Sequence, residues 1–368
     1  MAQLIFRLGF AYAVLLFAGG CGSSPSNDDD GDSDGTSGAI QGLVDNTWTF
    51  VPIAGAQCRD GSSTGIALNP SSTSTDVMIY LQGGGACFNA ITCAQNASSY
   101  NAADFDTNAL GSILRRDDAQ NPFKDWNFVF VPYCTGDVHS GNAPDAELDD
   151  ILAGTPKQQF VGYSNMGSYL AILAPTFADT THVALIGESA GGFGAVANYE
   201  QTAHAFEGAS VDLIDDSGPL MAAPYAAACL QSQWTSLWNW SSTVIADCGS
   251  DCSNDSPLSS LMTHLGRSYP QQRFGLISST ADAVIATFFG FGENDCSFFS
   301  VLSPERYMAG LMDIRAQMAF DANFGAFYFD GLDHTSLSTA LDTRTSDGVK
   351  LSDWVAGIRD GRVSNVGP

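Results

Sequence analysis

The sequence predicts an α/β fold: a mostly parallel sheet with helices packed on both faces. Short runs rich in β-branched and aromatic residues recur at 77–81, 126–131, 183–186, 211–214, 274–278 and 324–329. Each is apolar over several consecutive positions, the pattern of a strand covered on both sides. Helical candidates lie between them, and such alternation implies parallel pairing. The residues with chemistry follow the strand ends: Gly83-Gly84-Gly85, Pro132-Tyr133-Cys134, Ser189, Asp215-Asp216, Asp282 and His334. Functional loops gather at that edge of such a sheet.

At 368 residues, 45% hydrophobic and 15% charged, the chain can bury one large core, and a single α/β domain over 39–368 is expected. Ahead of it, residues 1–20 read as a signal peptide, because the apolar stretch 8–18 behind Arg7 is too short to span a bilayer. It ends in Ala18-Gly19-Gly20-Cys21, which resembles a bacterial lipoprotein cleavage site. On that reading Cys21 carries lipid, and the only tie to a membrane is this N-terminal anchor; the alternative is an ordinary secreted protein. Residues 21–38 are nearly all Ser, Asp, Gly, Asn and Pro and read as a disordered tether. Asp30, Asp32 and Asp34 match the opening of a calcium loop, but Gln41 stands where its bidentate glutamate belongs. No metal is expected.

With Cys21 assigned to lipid, Cys58, Cys87, Cys93, Cys134, Cys229, Cys248, Cys252 and Cys296 remain. An even count in an exported chain implies disulfides. Cys87 with Cys93 is the pair the sequence supports, across a short loop, and the other connections stay open. A formal charge of −26 argues against nucleic acid and against any strongly anionic polymer. Nothing calls for an oligomer, and a monomer is expected.

The catalytic reading starts at Gly187-Glu188-Ser189-Ala190-Gly191, between an apolar run and a small-residue helical stretch. This is the pattern of a nucleophile elbow, a strained strand-to-helix turn that exposes a serine hydroxyl. A hydroxyl needs a histidine to take its proton and a carboxylate to hold that histidine. His334 follows the last strand, whereas His182 enters the strand before the elbow and His204 and His264 lack a companion motif. His139 lies in a loop at the active edge and is a pocket candidate, with Tyr133 and Asp137 of the same loop. Asp282, just past the run 274–278, is the expected acid, giving the chain order Ser189, Asp282, His334; Asp216, one strand earlier, is the alternative. For the oxyanion, Ala190 supplies one backbone N–H and Gly84, or next to it Gly85, the other.

Four blocks together resemble the pectin acetylesterase and Notum family of carboxylesterases: Leu81 to Phe88, Val131 to Gly141, Gly187 to Gly192, and Asp333-His334. The similarity runs over about residues 47–340. It implies an α/β/α-hydrolase sandwich, the triad Ser189, Asp282 and His334, an oxyanion hole at Gly84 and Ala190, and no cofactor. The chain departs from the plant members at Ala86, where they have tryptophan, at Gln82, where glutamate is usual, and at His139, where an aromatic residue is common. Residues 221–272, with Trp234, Trp238, Trp240 and three cysteines, are expected to form a disulfide-braced cap, and Trp234 is a candidate for the substrate pocket. Phe288, Phe289, Phe291, Phe298 and Phe299 either line an acyl pocket or pack. The expected function is hydrolysis of short acyl esters, O-acetyl on a glycan first, by an enzyme exported to the cell envelope or beyond. The −26 charge disfavours bare polygalacturonate. A lipase-like or polyester hydrolase and a non-catalytic surface binding protein remain as alternatives.

Overall fold

The computed structural model describes residues 38–148, 157–252, 256–319 and 321–368. Cys21, the signal peptide and the acidic Asp30–Asp34 motif lie outside the described residues, as does all but the last residue of the tether. The strands are β1 (Thr49–Gln57), β2 (Ser63–Asn69), β3 (Val77–Leu81), β4 (Asn127–Val131), β5 (Ala143–Ala146), β6 (Gln158–Phe160), β7 (His182–Glu188), β8 (Ser210–Asp216), β9 (Phe274–Ser279), β10 (Phe324–Phe329), β11 (Thr345–Ser346) and β12 (Val349–Lys350). Eight of them form one sheet in the order β1-β2-β4-β3-β7-β8-β9-β10. The six strands from β4 to β10 in that order pair in parallel, while β2 pairs antiparallel with both β1 and β4. All six strands read from the sequence are present, and β1 and β2 add an antiparallel edge.

Period-two side-chain geometry divides the sheet between two cores. On one face Val77, Ile79 and Leu81 of β3 join Val183 and Leu185 of β7 and Phe274 and Leu276 of β9. On the other, Met78 and Tyr80 join Ala184, Ile186 and Ile277. Both sets are buried, which is why the strands read as unbroken apolar runs. The first face carries the long helices Gly162–Thr176, Pro257–Ser268 and Pro304–Gln317. The second is thinner, with the helix Leu351–Arg359 and irregular segments contributing Ile113, Phe123 and Leu337.

The described residues hold four disulfides: Cys58–Cys134, Cys87–Cys93, Cys229–Cys296 and Cys248–Cys252. Four such bonds fit an exported protein. Cys58–Cys134 ties the end of β1 to the loop after β4, and Cys87–Cys93 closes the loop after β3. Within residues 221–272, Cys248–Cys252 is local, while Cys229 reaches out to Cys296. Among the described residues no helix is long and apolar enough to cross a membrane, and no cluster of His, Cys, Asp or Glu could hold a metal ion.

Candidate active site

β7 ends at Glu188 and the helix Ala190–Ala197 begins two residues later, leaving Ser189 alone at the turn with φ 57° and ψ −120°. A non-glycine residue held there costs of order 1–3 kcal/mol, a strain that persists only where the surroundings impose it. The surroundings here are close. A β-carbon on Gly187 would run into the carbonyl of Gly191, and one on Gly191 into the carbonyl of Leu81, so helix and strands reach this spacing only with glycine at both positions. The Ser189 amide donates to the Asp216 carbonyl at 2.7 Å and its carbonyl accepts from Gly192 at 2.9 Å. The side chain itself makes no hydrogen bond to the described residues and borders an open cleft.

His334 lines the same cleft. Its Nδ1 lies 2.8 Å from Oδ2 of Asp282, which leaves Nε2 as the nitrogen free to accept a proton. Asp282 is fully buried and caps the helix Ala283–Phe289, its Oδ1 accepting from the amides of Val284 and Ile285 at 2.9 and 3.0 Å. One carboxylate oxygen thus fixes the acid to its helix and the other faces the imidazole.

After β3 the chain runs along this cleft as Gln82-Gly83-Gly84-Gly85. The Gly84 carbonyl accepts from Asn96 Nδ2 at 2.6 Å and the Gly85 carbonyl from the Tyr133 hydroxyl at 2.9 Å. With the carbonyls engaged, the amides of Gly84, Gly85 and Ala190 donate to no acceptor among the described residues. The first two border the cleft, and Ala190 lines a small pocket that also borders Ser189.

Asp216 is not beside His334 but beneath the loop that carries it. Four consecutive amides after the histidine are held by the ends of β7 and β8. Thr335 donates to Ser217 Oγ at 3.2 Å, Ser336 and Leu337 to Asp216 Oδ2 at 2.6 and 2.7 Å, and Ser338 to Glu188 Oε1 at 3.1 Å. The Ser338 hydroxyl also donates to Glu188 Oε1, and the Tyr80 hydroxyl to Glu188 Oε2. The residue before the nucleophile and the one opposite it on β8 therefore set where the histidine loop lies. Burial, and then the charge of Glu188, push the Asp216 carboxyl up to about 7. An aspartate in the unfolded chain titrates near 4, so between about pH 4 and 7 the native state holds a proton that the unfolded state releases, and stability falls as pH rises. Melting temperature measured across that range is expected to drop with pH, and Asp216→Asn to flatten the drop.

The other sequence candidates are placed as follows. Tyr133 is buried with its ring against Gly84; its hydroxyl also accepts from the Val138 amide at 2.9 Å. Asp137, fully buried, accepts from Thr135 Oγ1 and from the amides of Gly141 and Gly162. His139 turns Nε2 to the Gln82 carbonyl at 2.9 Å, and burial lowers its pKa to about 4, so it is neutral at pH 7. These three sit behind the glycine strand and support it; none lines the cleft or the small pocket. Trp234 does line the small pocket, stacked on Trp238 at 5.5 Å. Of the remaining histidines, His182 is held by the Asp212 carboxylate and His264 by those of Glu200 and Asp251. Asp333 pairs with Arg344 at 2.8 Å.

The cleft, about 500 Å³, is walled by residues that sequence reasoning missed: Tyr80, Tyr100, Asp104, Asp106, Leu110 and Glu188. Of these only Glu188 carried a signal, as a charged residue inside the elbow motif. The small pocket, about 30 Å³, is apolar and includes Phe193, Trp234, Trp240, Phe288 and Phe289. A third space of about 610 Å³ is an apolar groove with Ile91, Val284, Phe288, Phe291 and Phe299 in its walls.

Comparison with known proteins gives the chain's family and its fold. A palmitoleoyl-protein carboxylesterase Notum from Schmidtea mediterranea is 33% identical over 162 residues, 41% of this chain and 29% of that protein. The Mus musculus Notum is 30% identical over 164 residues, 41% of this chain and 30% of its own. Pectin acetylesterase 4 of Arabidopsis thaliana is 29% identical over 175 residues, 45% of this chain and 42% of its own. The matches span about a third of the length of these curated relatives. A solved structure of the Wnt deacylase Notum from Drosophila superposes with a TM-score of 0.64 at 19% identity, covering 87% of this chain and 96% of that one, so the fold is shared. The model of the pectinacetylesterase family matches residues 42–264, well over half of the sequence. The chain belongs to the pectinacetylesterase family, a family of carboxylic ester hydrolases.

Proposed function

We propose that this protein is a serine carboxylesterase that removes short acyl groups, acetyl first, from a polar alcohol such as a glycan hydroxyl. The observation that carries the reading is the contact of buried Asp282 with His334 at 2.8 Å, on the cleft that Ser189 borders. In the proposed reaction Ser189 Oγ attacks the ester carbonyl carbon and its proton passes to His334 Nε2. The oxyanion forms against the amides of Gly84 and Ala190, each such donor being worth about 2.7–4 kcal/mol. His334 then protonates the departing alcohol. Water attacks the acyl-serine, giving its proton to His334, and the carboxylic acid leaves as Ser189 recovers its hydrogen.

Pocket size supports a short acyl group. A space of roughly 10–15 Å³ on this measure holds one water, so a pocket of about 30 Å³ takes about two such groups, enough for an acetyl and too little for a long chain. The larger cleft, with Asp104, Asp106 and Glu188 in its wall, suits a neutral sugar and repels a polyanion. A longer-chain, lipase-like reading is favoured by one observation, the apolar groove beside Phe288. Activity on p-nitrophenyl esters separates the two. The expected kcat/KM maximum lies at acetyl or butyryl, and a maximum beyond about eight carbons would overturn the acetylesterase reading. Export as a lipoprotein anchored through Cys21, and a monomeric state, complete the proposal.

A further inference from the structure

We propose that Phe288 is the partition that sets acyl chain length, and that the groove behind it takes the acyl chain of longer esters once the ring is out of the way. The proposal rests on Ser189 being the nucleophile. The small pocket and the groove share three wall residues: Gly85, Ala86 and Phe288. Glycine has no side chain and alanine one methyl, so among the described residues the ring of Phe288 is the only movable group between the two spaces. It is half-buried, and its Cζ stands 3.1 Å from where a β-carbon on Gly85 would be. The partition thus lies over the oxyanion strand, one step from the acylated serine.

What lies beyond is shaped for a hydrocarbon. The groove includes Phe291, Phe299, Ile91 and Val284, with Ile91 63% and Phe299 48% exposed. Large apolar side chains left in water along one contiguous groove mark a binding surface rather than scattered exposure. The groove also touches Gly84 and Gly85, so a chain lying in it would start at the ester carbonyl. The polar cleft and the small pocket both border Ser189 and, apart from Gly85, have different walls, so the alcohol and acyl arms of the ester have separate places.

The test compares kcat/KM for p-nitrophenyl octanoate and p-nitrophenyl acetate in the folded full-length protein, with active sites counted by a fluorophosphonate. Phe288→Ala is expected to raise the octanoate-to-acetate ratio by roughly a hundredfold, the gain from burying about four of the methylenes that octanoyl has beyond acetyl. Phe288→Leu should raise it less, and carries the test if the alanine variant does not fold. Adding Ile91→Asp, which puts a charge in the groove wall, should cancel the gain. Ratios within about twofold of wild type in the folded variants, or a gain that Ile91→Asp leaves intact, overturn the partition. Wild-type acetate turnover that survives Ser189→Ala overturns the esterase reading instead, so the two failures are told apart.

Discussion

Ser189→Ala is expected to lower kcat on p-nitrophenyl acetate by about a millionfold and to abolish labelling by a fluorophosphonate, while leaving the melting temperature almost unchanged. The size follows from how the residues act together: once the nucleophile is gone, histidine and acid have nothing to activate, and only the oxyanion donors and binding remain, good for roughly 10³–10⁴ over water. The small effect on stability follows from the site. The Ser189 hydroxyl makes no hydrogen bond to the described residues, and what holds the elbow is backbone: the amide on Asp216 at 2.7 Å, the carbonyl on Gly192, and the contacts of Gly187 and Gly191. Alanine at φ 57° is strained much as serine is, so the turn carries the same strain in both proteins. A variant that kept more than about a tenth of wild-type turnover would show that another group is the nucleophile.

The elbow could be read from the sequence because its constraints are local. Two glycines must flank the serine for helix and strands to approach, and the strands around it are buried on both faces. The parallel strands β3, β7, β8, β9 and β10 were visible for the same reason. The edge strand β1 was not, because its residues alternate irregularly between buried and exposed positions and it carries a bulge between Pro52 and Gln57. The grip of Asp216 and Glu188 on residues 336–338 was also invisible. It joins positions 120 to 150 residues apart, and no periodicity or spacing encodes which returning loop will bring its amides to those carboxylates. The loop of Tyr133, Asp137 and His139 shows the opposite difficulty. It follows a strand at the active edge, as a pocket loop does, yet Asp137 collects the amides of Gly141 and Gly162 and folds the loop back behind the glycine strand. The walls supplied by Tyr100, Asp104 and Asp106 come from an irregular stretch with no pattern at all.

Asp282→Asn is expected to lower kcat by about 10⁴ with the fold intact, and Asp216→Asn by roughly ten- to a hundredfold. Both substitutions replace a buried carboxyl by an amide of the same shape and differ in what the lost oxygen was doing. In Asp282, Oδ1 caps the helix and an asparagine carbonyl keeps those bonds, whereas Oδ2 at 2.8 Å from His334 Nδ1 becomes an NH₂ group. That amide donates to Nδ1 and places the imidazole proton on Nε2, the nitrogen that must accept from Ser189, so the tautomer is wrong for a base. In Asp216 the carboxylate touches backbone amides and Ser217, not the imidazole. Its loss loosens where the histidine sits without changing which nitrogen carries the proton. The pH profiles should therefore part. Turnover by the Asp282 variant should recover as hydroxide takes over from the base at alkaline pH, and the Asp216 variant should keep the wild-type profile at a reduced height. If Asp216→Asn had the larger effect together with the altered profile, the acid would be the one on β8, and His334 would have to leave Asp282 to reach it.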